Sequence, residues 1–118
     1  MQRDHLLLAE MIDAATEAHR LAREATVDDL TADRTRREAL LWNFTELGEA
    51  ANQVTDELKL RHSELPWQQP TRLRNRIVHG YWAIDLDILH STAIRQLPSF
   101  AVQLGQVLAE LDSTESSD

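Results

Sequence analysis

The sequence predicts an all-α protein: an antiparallel bundle of four to five helices, its last long helix kinked or split at Pro98. Three observations carry that prediction. Glycine and proline number only three each in 118 residues, so long stretches lack the residues that punctuate a many-turned β fold. Apolar side chains recur at three- and four-residue steps through most of the chain. The stretches between these runs are short, as antiparallel neighbours require.

The first helix is expected from about residue 4 to 25, where Leu7, Met11, Ala14, Ala18, Leu21 and Ala25 share one face and Asp4 is a plausible N-cap. Thr26 to Asp33 breaks the pattern with acidic and hydroxyl residues and reads as a connector. The second helix, roughly 33 to 61, has the clearest stripe: Leu40, Phe44, Leu47, Ala51, Val54 and Leu58, with Asp33 as its cap and His62, Ser63 and Pro66 marking its end. Gly48 sits in mid-helix, where it costs about 1 kcal/mol relative to alanine; close approach of another backbone or of a functional group would justify it. Pro66, Trp67 and Pro70 frame a connector, and a brief third helix covers about Thr71 to Val78, stopped by Gly80. A fourth begins near Asp85 and carries Leu86, Leu89, Ala93, Leu97, Ala101, Leu104, Leu108 and Leu111, interrupted at Pro98. Residues 1–111 form the expected helical domain and 112–118 a flexible acidic tail.

Composition narrows the class. Apolar residues at 42% and charged residues at 27% exclude a disordered or collagen-like chain, and the length fits one domain. With no cysteine, there are no disulfides, thiolate metal sites or cysteine nucleophiles. The N-terminal region has only a three-leucine run before Glu10, and no apolar run approaches the roughly 18 residues a membrane span needs. A cytoplasmic protein without membrane association is expected. The net charge of −8 argues, taken as an average, against a nucleic-acid binder.

The charge is unevenly spread. Between Glu64 and Asp85 there is no acidic residue, while Arg72, Arg74 and Arg76 fall within five positions and His79, Tyr81 and Trp82 follow. An acidic protein thus presents a basic, aromatic-edged segment of the kind that binds phosphates or stacks bases. The plainer alternative is that these arginines answer acidic helices of the same bundle.

Within LRNRIVHGYW, the pattern Arg74-Asn75-x-x-x-His79-x-Tyr81 resembles the Arg-x4-His signature of the HEPN superfamily, in the RNxxxHxY form of HepT-like toxins. Glu46 to Val54 (ELGEAANQV), His62 to Trp67 (HSELPW), Ile84 to Leu89 (IDLDIL) and Leu97 to Phe100 (LPSF) extend the resemblance over roughly residues 4 to 111. It implies a metal-independent endoribonuclease, the toxin of a type II/VII-like toxin–antitoxin system, acting as an all-helical homodimer whose motif helices meet at the two-fold axis. The implied partner is a minimal nucleotidyltransferase antitoxin that transfers AMP onto the motif tyrosine, here Tyr81. No cofactor is implied.

The residue types suit that chemistry. Metal-free RNA cleavage uses the ribose 2′-hydroxyl as an internal nucleophile, so the protein must move protons and stabilise charge on phosphorus. His79 titrates near neutral pH and can act as general acid or base. Arg74 offers a permanent planar fork for phosphate oxygens, and Asn75 can orient either group without adding charge. On an ideal helix Asn75 and His79 lie about 40° apart but Arg74 and His79 about 140° apart. Arg72, Asn75, Arg76 and His79 form one stripe; Arg74 and Tyr81 lean the other way. Arg74 and His79 therefore reach one phosphate only if the helix unwinds near Gly80 or a second subunit supplies one of them. If Arg74 points inward it needs an anion, for which Glu46 and Glu49 are candidates, with Glu49 the favoured supporting residue and Arg76 a further one.

Two rival readings remain. Asp87-x-x-His90 has metal-ligand spacing, but a di-metal bundle needs a second such motif and the chain has none. His5, His19 and His62 read as solvent-facing or capping, Trp42 and Trp67 as packing or interface aromatics. Gly48, Gly80 and Gly105 form no phosphate loop, so this chain is not the nucleotide-binding partner. The other rival is a catalytically silent HEPN module that only binds its nucleotidyltransferase.

Overall fold

Alanine decides the centre of the molecule. The first helix, α1 (Gln2–Arg23), buries Ala14, Ala15, Ala18 and Ala22 beside Leu7, Leu8 and Met11. Such small side chains let neighbouring helices come close on more than one side. In the computed structural model, which describes residues 2–116, α1 packs against α3 (Arg34–Gln53) on one side and against α6 (Trp82–Arg95) and α7 (Leu97–Ser116) on the other. Helix α5 (Gln68–Val78) lies on α3. Two single-turn helices, α2 (Val27–Ala32) and α4 (Asp56–Arg61), close the corners. The architecture is the expected all-α bundle, and every described regular element is a helix.

Four details differ from the sequence reading. Asp4 is not a cap: α1 already begins at Gln2, and the buried Asp4 carboxylate accepts hydrogen bonds from the Thr55 N–H (3.1 Å) and hydroxyl (2.7 Å). The second helix is two. It breaks at Val54, and Thr55 caps α4 by accepting from the Leu58 N–H at 3.3 Å. The expected connector 26–33 holds α2, whose Thr26 and Asp29 bond reciprocally as a capping box. The third helix starts at Gln68, three residues earlier than expected, with Pro70 buried in its first turn, where a missing N–H costs nothing.

Other expectations hold. Asp33 caps α3 by accepting from the Arg36 N–H. The long C-terminal helix divides as expected, at Gln96 with Pro98 in the first turn of α7, but it starts at Trp82, three residues before Asp85. Helix α7 runs to Ser116; Ser117 and Asp118 of the expected tail lie outside the described residues. The core gathers the predicted stripes, with Phe44, Leu40, Leu47, Leu58, Leu89 and Leu104 fully buried.

Four of the histidines are structural, and of these only His62, read as solvent-facing or capping, fills a role the sequence disclosed. His19 meets the Ala93 carbonyl at 3.0 Å, joining α1 to α6. His90 places Nε2 at 2.9 Å from the Ala22 oxygen and 2.7 Å from that of Ala25, so it donates to carbonyls at the end of α1. His5 pairs with Asp112 on α7, and His62, the C-cap of α4, sits between Glu64 and Glu110. Asp87 is exposed, and among the described residues no group of His, Asp and Glu could hold a metal ion.

Candidate active site

The site is built on the contact between α3 and α5, and a missing side chain makes that contact possible. A Cβ at Gly48 would lie 2.3 Å from the Arg74 Cβ and 2.5 Å from the Pro70 carbonyl oxygen. Both are far inside contact distance, and one is backbone. Gly48 therefore lets α5 settle onto α3, which accounts for a glycine in mid-helix. The N-terminal end of α5 is held by Trp67, buried, whose indole N–H donates to the His62 carbonyl at 2.9 Å.

That close approach brings Arg74 against α3. Its guanidinium pairs with Glu49, and Nη1 donates to the Asn75 side-chain oxygen at 2.9 Å. Arg74 is half-buried, so the Glu49 charge compensates a cation partly withdrawn from water. Glu46 is exposed and has no ion pair with Arg74 among the described residues, so of the two candidate anions Glu49 is the one in contact.

At the other end of α5, the chain reverses through a Schellman motif. The Tyr81 N–H donates to the Arg76 carbonyl (2.8 Å) and the Gly80 N–H to that of Ile77 (3.0 Å). Gly80 takes φ = +81°, which a side chain rarely adopts. His79 is the C-cap residue, exposed, and its ring centroid lies 6.2 Å from that of the exposed Tyr81. The motif's histidine and tyrosine thus stand together at an open turn. Arg74, one and a half turns back, is engaged with Glu49 and Asn75 and has no hydrogen bond to His79.

Two further contacts fix this turn, and neither was foreseen from the sequence. Arg76 pairs with Asp85, which is buried in the first turn of α6, so this arginine ties α5 to α6 and is not a free member of the basic segment. Trp82 is covered by Arg37 of α3, the guanidinium carbon lying 5.1 Å from its ring centroid. Arg37 also donates through Nη1 to the carbonyls of Leu30 (3.1 Å) and Thr31 (2.8 Å), at the end of α2. Asp85 had one visible signal, as the acid that closes the acid-free stretch; Arg37, 45 residues from Trp82, had none. Arg72 is exposed and donates to Gln68 at 2.9 Å. Trp67 packs as expected, whereas Trp42 is 62% exposed on α3 and takes no part in the core of this chain.

The arrangement combines a fixed cation, an amide, an exposed imidazole and an exposed phenol on one short helix and its turn. Comparison with known proteins decides what family carries it. The family model described as ribonuclease HepT-like matches residues 11–107, which include every one of these groups. The chain belongs to the HepT-like family. A protein of Thermococcus cleftensis, provisionally named ribonuclease HepT, is 29% identical over 100 residues, covering 84% of this chain and 91% of that protein. Two others, provisionally named RNases, are similar: one from Methanocaldococcus jannaschii at 19% identity (80% of this chain, 78% of that protein) and one from Caldanaerobacter subterraneus subsp. tengcongensis at 24% (69% and 72%). No solved structure gives a significant match. No described helix is long and apolar enough to cross a membrane.

Proposed function

We propose that this HepT-like chain is a metal-independent endoribonuclease, the toxin of a toxin–antitoxin pair, and that Arg74 and His79 act on one phosphate from two protomers. The observation that carries this reading is the separation of the two groups. Arg74 is braced against α3 by Glu49 in the middle of α5, while His79 stands exposed at its C-cap with no hydrogen bond to Arg74. Two copies apposed through this region, one turned by 180°, would set the arginine of one beside the histidine of the other.

In the reaction the ribose 2′-oxygen attacks phosphorus and the bond to the 5′-oxygen breaks, leaving a 2′,3′-cyclic phosphate and a 5′-hydroxyl. The 2′-hydroxyl loses a proton and the departing oxygen gains one; a single His79 serves one of these transfers and water the other. Arg74 holds the non-bridging oxygens as negative charge grows on them. Glu49 keeps its fork oriented, and Asn75 accepts one of its N–H groups, as in the present geometry. Arg76 supports the site through the α5–α6 turn.

The same turn suits regulation. Tyr81 is half-exposed beside His79 and could take up AMP from ATP: its oxygen bonds to the α-phosphorus, pyrophosphate leaves, and the phenolic proton goes to solvent. The added phosphate would repel RNA where His79 must work. A nucleotidyltransferase antitoxin in the same cell is the partner this chemistry needs. The test is RNA cleavage in excess EDTA. Wild type should cleave and His79→Ala should not; equal cleavage by both removes the nuclease reading. Incubation with ATP and the transferase should add one AMP mass to the peptide holding Tyr81, and none to Tyr81→Phe.

A further inference from the structure

Helix α5 packs on α3, whereas α6 and α7 pack chiefly on α1, so the bundle is left open along one seam between α5 and the α6–α7 corner. In that seam lies a groove of about 430 Å³, within the size range of small-ligand sites. Its floor is apolar, formed by residues such as Leu73 and Phe100; its rim carries Gln69, Gln96, Gln103 and Arg95. No acidic residue lines it, although 20 of the 118 residues are Asp or Glu. An acid-free groove in a chain of net charge −8 opposes an anion less than an acid-lined surface would. Arg95 is exposed and has no ion pair among the described residues, which leaves its guanidinium available for one.

The groove and the proposed site share helix α5. Gln69, on the groove rim, falls on the same face as Arg72, Arg76 and His79 (i, i+3, i+7 and i+10), while Pro70 and Leu73, which also line the groove, lie further round the helix. The rise from Gln69 to His79 is about 15 Å, the reach of a few nucleotides. Glutamine amides each offer a donor pair and an acceptor, the groups that read the edge of an unstacked base, and an apolar floor accepts its face.

We infer that this seam is a nucleotide-binding subsite for single-stranded RNA: a base flanking the cut enters the groove against Leu73 and is read by Gln69 and Gln96, with Arg95 on its phosphate. This rests on the ribonuclease reading, and its test is built to fail separately. The probe is a fluorescent, mixed-sequence single-stranded 12-mer RNA containing 4-thiouridine, bound to His79→Ala so that cleavage does not interfere. Arg95→Glu should weaken binding at least tenfold at low salt, and Gln96→Ala, which changes no charge, about fivefold, the worth of one hydrogen bond. Ser91→Glu, exposed on α6 outside the groove, should change it less than twofold. Photocrosslinks should map to peptides containing Leu73 or residues 92–103. The subsite is overturned if Arg95→Glu and Gln96→Ala bind as the parent does, or if Ser91→Glu weakens binding as much as Arg95→Glu. It is overturned equally if crosslinks fall only on other faces, or if Leu73→Ser converts a dimer into monomers, which would make the seam a subunit interface. Failure of wild type to cleave, with the Arg95 and Gln96 effects intact, would instead remove the nuclease reading and leave the RNA groove standing.

Discussion

Two carboxylates are buried among the described residues, and both close a corner between helices, yet they are answered differently. Asp4, on α1, accepts two hydrogen bonds from Thr55, a neutral partner that also caps α4. Asp85, on α6, faces the cation of Arg76 at the edge of an exposed turn. The first corner is locked by short-range hydrogen bonds between an acid and a neutral partner. The second is held by charge, which acts over longer distance and tolerates small shifts, and it carries His79 and Tyr81. The molecule separates a corner held by neutral hydrogen bonds from one held by charge beside the residues proposed to act.

Substitutions break this contrast in graded ways. The largest effect is expected where the site rests on the scaffold. Gly48→Ala forces α5 away from α3, so RNA cleavage should fall at least tenfold while melting drops by the equivalent of about 1–3 kcal/mol; wild-type cleavage in a stable Gly48→Ala variant would show that the close contact is irrelevant to the site. Asp4→Ala should act in the opposite sense. It leaves the Thr55 N–H without its partner and costs about 1–3 kcal/mol in denaturant unfolding, but cleavage assayed well below its melting temperature should stay within twofold of wild type. Arg76→Ala strands the buried Asp85 and should cost about 1–2 kcal/mol, more than Asp85→Asn, which removes the charge instead of isolating it; both should lower turnover several-fold with little change in RNA affinity.

These expectations also mark what could be read from the chain alone. Gly80, Asp33 and Pro98 announced their roles because each meets a local backbone demand: positive φ, a cap, a break; Gly48 only signalled that something must come close, without naming α5. The Arg-Asn-x-x-x-His-x-Tyr string announced the family for the same reason, being contiguous. Asp4 was misread as a cap because its real partner, Thr55, is 51 residues away. The break at Val54 carries neither glycine nor proline; its local sign is Thr55 followed by two acids, an N-cap pattern missed in the sequence, and Thr55 also bonds the distant Asp4. Arg37 and Trp82, like Arg76 and Asp85, meet only once the helices have packed. Local rules were legible; of the contacts created by tertiary packing only the Arg74–Glu49 pair was named in advance.

The smallest predicted effect belongs to the short helix α2. The Thr26 N–H, bonded to the Asp29 carboxylate, holds that carboxyl below its ordinary value. A depressed carboxyl stabilises the fold above its unfolded pKa, and that contribution fades as pH falls through the folded value. The melting temperature of Asp29→Asn should therefore lie slightly below wild type at neutral pH, and the gap should close as acid protonates the carboxyl in the folded state. A gap that persists unchanged in acid would mean the ionised carboxylate contributes nothing to the corner.

The division of labour between Arg74 and His79 is tested most directly by mixing two inactive variants. Arg74→Ala and His79→Ala, each alone, should cleave no RNA. Co-refolded in equal amounts, half of the dimers carry both chains, and each of those rebuilds one intact site from the two, so cleavage should return to about a quarter of the wild-type level. A mixture that stays as inactive as its components, with heterodimers demonstrated by mass spectrometry, would contradict the shared site and place both groups on the same protomer.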